Sequence, residues 1–106
     1  MSQQADPRLL DAKFHALADG TRRALVARLC LGPSSVKELA EPMPVSLPTV
    51  LKHLAILENG GLVHSEKAGR VRTFRLAPDA FVEVERWVGE RKRRPDSRAA
   101  NALISD

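Results

Sequence analysis

The stretch from Ser46 to Arg75, SLPTVLKHLAILENGGLVHSEKAGRVRTFR, constrains the fold more than any other part of the chain. Ser46 stands where an N-cap belongs, and Pro48 fits the first turn, where N–H groups have no intrahelical acceptor. Apolar residues recur at helical spacing to Leu57, and Gly60-Gly61 stops the helix. Two short basic strands, about 62–67 and 71–76, then flank Ala68-Gly69-Arg70, a connection in which glycine supplies positive φ. A capped amphipathic helix running straight into a charged hairpin predicts a winged helix-turn-helix: mainly α, about five helices, with a small β-hairpin wing. That layout suits the reading of duplex DNA.

The remaining helices are punctuated as clearly. Asp6 and Pro7 open a first helix over about residues 7–18, with Leu10, Phe14 and Leu17 at helical spacing. Asp19 caps a second, whose stripe of Leu25, Val26, Leu29 and Cys30 runs to Gly32-Pro33. Ser35 and Glu38 match a capping box, so Val36, Leu39, Ala40 and Met43 form a short third helix stopped by Pro42 and Pro44. Pro78 and Asp79 open a last helix carrying Phe81, Val84, Trp87 and Val88, which ends before Pro95. In the hairpin, Val71 and Phe74 fall on opposite faces, and the pattern alone does not say which is buried. One domain over residues 1–94 and a short tail over 95–106 are expected.

A chain of 106 residues has room for one modest core and none for a deep cofactor pocket. The net charge of +4 favours an anionic partner. Its distribution is more telling. Residues 46–76 hold Lys52, Lys67, Arg70, Arg72 and Arg75 against Glu58 and Glu66, whereas residues 1–45 are nearly balanced. A single cysteine excludes an internal disulfide framework and fits a reducing compartment. With no signal-like or membrane-length apolar stretch, a cytoplasmic protein without a membrane partner is expected. No nucleophile, base and orienting group are set out together and no glycine loop cradles phosphate, so no enzyme is expected and no cofactor.

The fourth helix is weighed by angle, at about 100° per residue from Ser46. Val50, Leu54 and Leu57 fall between about 20° and 80°, the core side. Leu47, Pro48, Leu51, Lys52 and Ala55 spread from about 100° to 240°. Leu47 and Leu51 therefore either widen the apolar stripe or face the DNA. Thr49 and His53 lie on the other flank, where His53 is placed either to donate to a phosphate or to order the fold. Lys67, Arg70 and Arg72 are set to follow the backbone or enter a narrow minor groove, a plain solvated face being the alternative. Lys37 is a further phosphate candidate. The DNA-contacting set is thus Lys37, Ser46, Leu47, Pro48, Thr49, Leu51, Lys52, His53, Lys67, Arg70 and Arg72. Leu10, Phe14, Phe81, Val84 and Trp87 are divided between closing the core and pairing two copies.

Five motifs, Leu17-Ala18-Asp19-Gly20-Thr21-Arg22-Arg23, Val36-Lys37-Glu38-Leu39-Ala40, Lys52-His53-Leu54 within Ser46 to Leu57, Gly61-Leu62-Val63 and Gly69-Arg70-Val71-Arg72, resemble the ArsR-type winged-helix repressors. The resemblance covers about residues 8–93. SLPTVLKHL and GRVRT are most similar to a branch without the metal-binding motif. It implies a homodimeric bacterial transcriptional regulator, a repressor of the kind released from DNA by a signal whose chemistry it leaves open. Family members often carry Gln, Ser and a basic residue where this chain has Leu47, Leu51 and Ala55. Their third-helix thiol pair would fall on Ser35 and Lys37, neither of which ligates as a thiolate does, and residues 78–94 lack histidine. No metal site is expected. Asp11 and His15 share a helical face but make only two ligands, and Cys30 reads as a buried, inert thiol.

The expected function is a homodimeric DNA-binding repressor on an inverted-repeat operator. The alternative is a winged-helix module that binds a protein partner.

Overall fold

The computed structural model describes residues 6–92. Five helices and three strands follow in the order α1 (Pro7–Leu17), α2 (Gly20–Leu29), β1 (Ser34–Ser35), α3 (Val36–Ala40), α4 (Leu47–Asn59), β2 (Val63–Ala68), β3 (Val71–Leu76) and α5 (Val82–Lys92). The helix starts are made by the expected caps. The Asp6 carboxylate accepts from the Arg8 N–H, Asp19 from Arg22 and Ser46 from Thr49. Ser35 and Glu38 complete a reciprocal capping box, each side chain accepting from the other residue's N–H. Backbone donors hold two of these carboxylates below the usual range, Glu38 chiefly through the Ser35 N–H and Asp19 chiefly through the Arg22 N–H.

The wing is part of a slightly larger sheet than the hairpin expected from sequence. Ser34 and Ser35 pair with Phe74 and Thr73, so β3 is central and the order is β1-β3-β2. Register places Val63, Ser65 and Lys67 opposite Leu76, Phe74 and Arg72. Phe74 and Val63 are buried and Val71 is exposed, which fixes the inner face of the hairpin. Ala68 pairs with Val71, leaving Gly69-Arg70 as a two-residue loop in which Gly69 takes φ +63°. Glycine with positive φ at the first loop position suits the right-handed twist of the strands.

The core joins Leu25 and Leu29 of α2, Leu39 of α3, Val50, Leu54 and Leu57 of α4, Leu62, Val63 and Phe74, all at most 3% exposed. Its centre is the apolar side of α4, at the positions given by the helical angles. Gly60 lets the end of α4 meet α1, since a Cβ there would lie 3.3 Å from the Ala12 carbonyl oxygen. Two buried cations stitch the helices together. Arg22 donates to the carbonyls of Ala16 (2.8 Å) and His15 (3.0 Å), satisfying acceptors left over at the end of α1. Lys13, 2% exposed, donates to the Ala80 carbonyl at 2.5 Å and pairs with Glu83 at 3.3 Å, tying α1 to α5.

Three local expectations are corrected. Cys30 is exposed: α2 ends at Leu29, and Cys30, as its C-cap, lies at the solvent-facing end of the helix and not in the core. Met43 lies beyond α3, which stops at Ala40. Phe81 belongs to the turn before α5, not to the helix, which begins at Val82. The expected tail over 95–106, and the boundary at 94, lie outside the described residues. No described helix is long and apolar enough to cross a membrane.

Candidate nucleic-acid interface

The connection from α3 to α4 presents the first turns of α4 to solvent, and the hairpin stands beside them. Between these elements is an open groove of 840 Å³ lined by Val36, Lys37 and Ala40, by Leu47 and Leu51, and by Lys67, Arg70, Val71 and Arg72. Six of the eleven residues expected to contact DNA thus meet on one surface: Lys37, Leu47, Leu51, Lys67, Arg70 and Arg72. Leu47 is 49% exposed and Leu51 42%. They flank the side that carries Val50, Leu54 and Leu57, are turned to solvent, and are not core residues. Val71, 53% exposed, adds an apolar wall that sequence reasoning did not assign to this surface.

The groove sets four cations, Lys37, Lys67, Arg70 and Arg72, against one carboxylate, that of Glu41. Among the described residues, Lys37, Lys52, Lys67 and Arg70 make no ion pair. Lys67 stands directly opposite Arg72 on the sheet face that carries Phe74. Like charges in that position oppose pairing of the strands, so their placement favours an anion between or above them. Arg72 is also braced: it donates to Ser65 Oγ at 2.9 Å, and that hydroxyl donates to Glu58 of α4 at 3.1 Å. This relay sets the wing's angle against α4. On the outer face of the hairpin, Arg75 is paired with Glu66 at 3.2 Å.

The remaining expected contacts are arranged differently. Ser46 and Thr49 are occupied with the helix start, their hydroxyls 3.0 Å apart and the Thr49 N–H directed at Ser46 Oγ. Pro48 and Lys52 are exposed on α4 outside the groove. His53 is turned toward α2. Its Nδ1 lies 3.2 Å from Arg22 Nη1 and 3.9 Å from Asp19, so its ring orders the helix junction. Arg22 itself was missed by sequence reasoning, although it lies in the quoted Leu17 to Arg23 motif.

A second surface lies on α1 and α5. Phe14 (38% exposed) and Trp87 (39% exposed) meet edge to face with ring centroids 5.6 Å apart, and Arg91 lies 4.4 Å over the Trp87 ring. Val82 and Val88 are exposed on α5 as well. Leu10 and Val84 are half-buried, and Phe81 packs on the core. Among the described residues, no three His, Cys, Asp or Glu side chains gather as a metal site.

Residues 17–66 match a helix-turn-helix domain family. An HTH-type transcriptional regulator of Mycobacterium tuberculosis is 50% identical over 68 residues, 64% of this chain and 64% of that protein. The likeness therefore spans under two thirds of that relative's length. Among solved structures, an ArsR family transcriptional regulator is 42% identical with a TM-score of 0.79, over 85% of this chain and 93% of the other. A homodimeric winged helix-turn-helix DNA-binding domain from Mycobacterium bovis has the same fold, with a TM-score of 0.66 at 23% identity over 100% of this chain and 96% of its own.

Proposed function

Since the chain belongs to the ArsR family of transcriptional regulators, we propose that it binds duplex DNA as a homodimeric repressor. Each subunit lays α4 in the major groove of one half of an inverted repeat and sets its wing on the flanking backbone. The observation that carries this reading is the unpaired cationic rim around the exposed side of α4: Lys37, Lys67 and Arg70, with Arg72 braced behind them. Those groups are placed to release counterions from a polyphosphate, the dominant source of affinity for DNA. The outward Phe14, Val82, Trp87 and Val88 supply the apolar surface through which two copies pair.

Genome-wide binding by the purified protein, followed by footprinting of the strongest site, tests the proposal. An operator with two protected half-sites is expected. Neutralising Lys52, Arg70 and Arg72 together removes duplex binding by a DNA reader, whereas a winged-helix protein adaptor has none to lose.

A further inference from the structure

The reading side of α4 is short of polar groups. Among the described residues of its first two turns, the hydroxyls of Ser46 and Thr49 engage each other and the helix start, His53 is held by Arg22, and Lys52 is exposed outside the groove. Leu47 and Leu51 point outward instead, with Val71 of the wing lining the same groove. None of these three side chains can donate to or accept from a base edge. The cations on the rim make the groove complementary to a phosphate backbone, so the occupant that fits is duplex DNA whose bases offer an apolar group. Only thymine does so in the major groove, through its C5-methyl.

We propose that Leu47 and Leu51 are the specificity-determining residues of this protein, each packing on a thymine methyl in the half-site while the surrounding cations hold the backbone. The inference rests on the DNA-binding reading above and adds the chemistry that is read. Four residues along a helix rise about 6 Å. Successive bases on one strand are about 3.4 Å apart, so the two methyls belong about two base pairs from each other.

The test uses the full chain and a pool of randomised duplexes. The most strongly enriched duplex is resynthesised with uracil replacing thymine at single positions, which removes only the methyl, and affinities are read by fluorescence anisotropy. Wild-type protein should lose about fourfold in affinity for each critical methyl removed, the effect of exposing one methylene-sized group. Leu51→Ala should bind more weakly and become indifferent to uracil at the position Leu51 contacts. Arg70→Ala with Arg72→Ala should weaken thymine and uracil duplexes alike. Equal wild-type affinity for both duplexes overturns the inference and leaves DNA binding standing, as does a Leu51→Ala protein that keeps the full thymine dependence. Failure of any duplex to enrich at low salt overturns the DNA reading and this inference with it, and gives the groove to a protein partner. The uracil comparison needs no altered protein, so it decides the matter even where a leucine variant melts early.

Discussion

Lys13 shows how much one residue can hold. Its ammonium, enclosed between α1 and α5, is matched to two backbone carbonyls, those of Ala80 and Gly61, and to Glu83. Glu83 Oε1 is buried without another hydrogen bond, so this ion pair is its compensation. Lys13→Ala should therefore cost about 3 kcal/mol in urea unfolding, because removing one partner strands a buried charge and two acceptors. The sign with pH follows from the same groups. Glu83, Glu38 and Asp19 are all held below the usual carboxylate range, chiefly by backbone N–H groups: Glu83 by its own, Glu38 by that of Ser35 and Asp19 by that of Arg22. A lowered folded pKa stabilises the native state above the unfolded value, near about pH 4, and the contribution is lost as pH falls through the folded value. Stability should hold from neutral pH to about pH 5 and drop below it, and a Tm series against pH checks this. The sequence reading left Lys13 unassigned, beside the stripe of Leu10, Phe14 and Leu17. It could not give the partner, because Ala80 is 67 positions away.

At the scale of elements, the wing trades stability for charge. Lys67→Thr removes the like-charge opposition to Arg72 and adds a good strand former, so the free protein should gain about 0.5 kcal/mol while its affinity for DNA falls. Chemical denaturation and anisotropy on the same preparation check both halves, and a variant that loses both stability and affinity counts against the argument. Elements with a strong local signal were legible in the sequence. Caps at Asp6, Asp19, Ser35 and Ser46 lie where side chain and backbone satisfy each other within three residues, and the core side of α4 follows from its period alone. What escaped was non-local or at an edge. Two residues of β1 are too few to alternate, and only their pairing with Thr73 and Phe74 makes them a strand. Cys30 was placed inside by extending a helical stripe one position past the end of its helix. Leu47 and Leu51 stayed open because an apolar side chain reads the same from sequence whether it faces a core or a ligand; their exposure settles only the first.

At the scale of the molecule, what the monomer leaves uncovered sets its assembly and its operator. The core is closed without Phe14 and Trp87, yet both rings lie together on α1 and α5 with the exposed Val82 and Val88 beside them, a patch suited to a two-fold partner. Two copies paired there would present two α4 helices to the same side of DNA, with half-sites about 34 Å apart, one helical turn. With about three phosphate contacts per subunit, the proposed dimer would release counterions from about six, and log affinity should fall with log salt at a slope near −5. Arg70→Ala with Arg72→Ala should flatten that slope while leaving the dimer intact. Trp87→Asp acts at the other surface: it places a charge in the apolar patch, and sedimentation should show monomers with an unaltered fold by circular dichroism. Those monomers keep the groove and its cations, so they should still bind DNA weakly at low salt. They lose the linkage that makes the second half-site an intramolecular target, however, and operator affinity should fall by at least about a hundredfold. A Trp87→Asp protein that sediments as a dimer and protects both half-sites would place the two-fold contact elsewhere on the molecule.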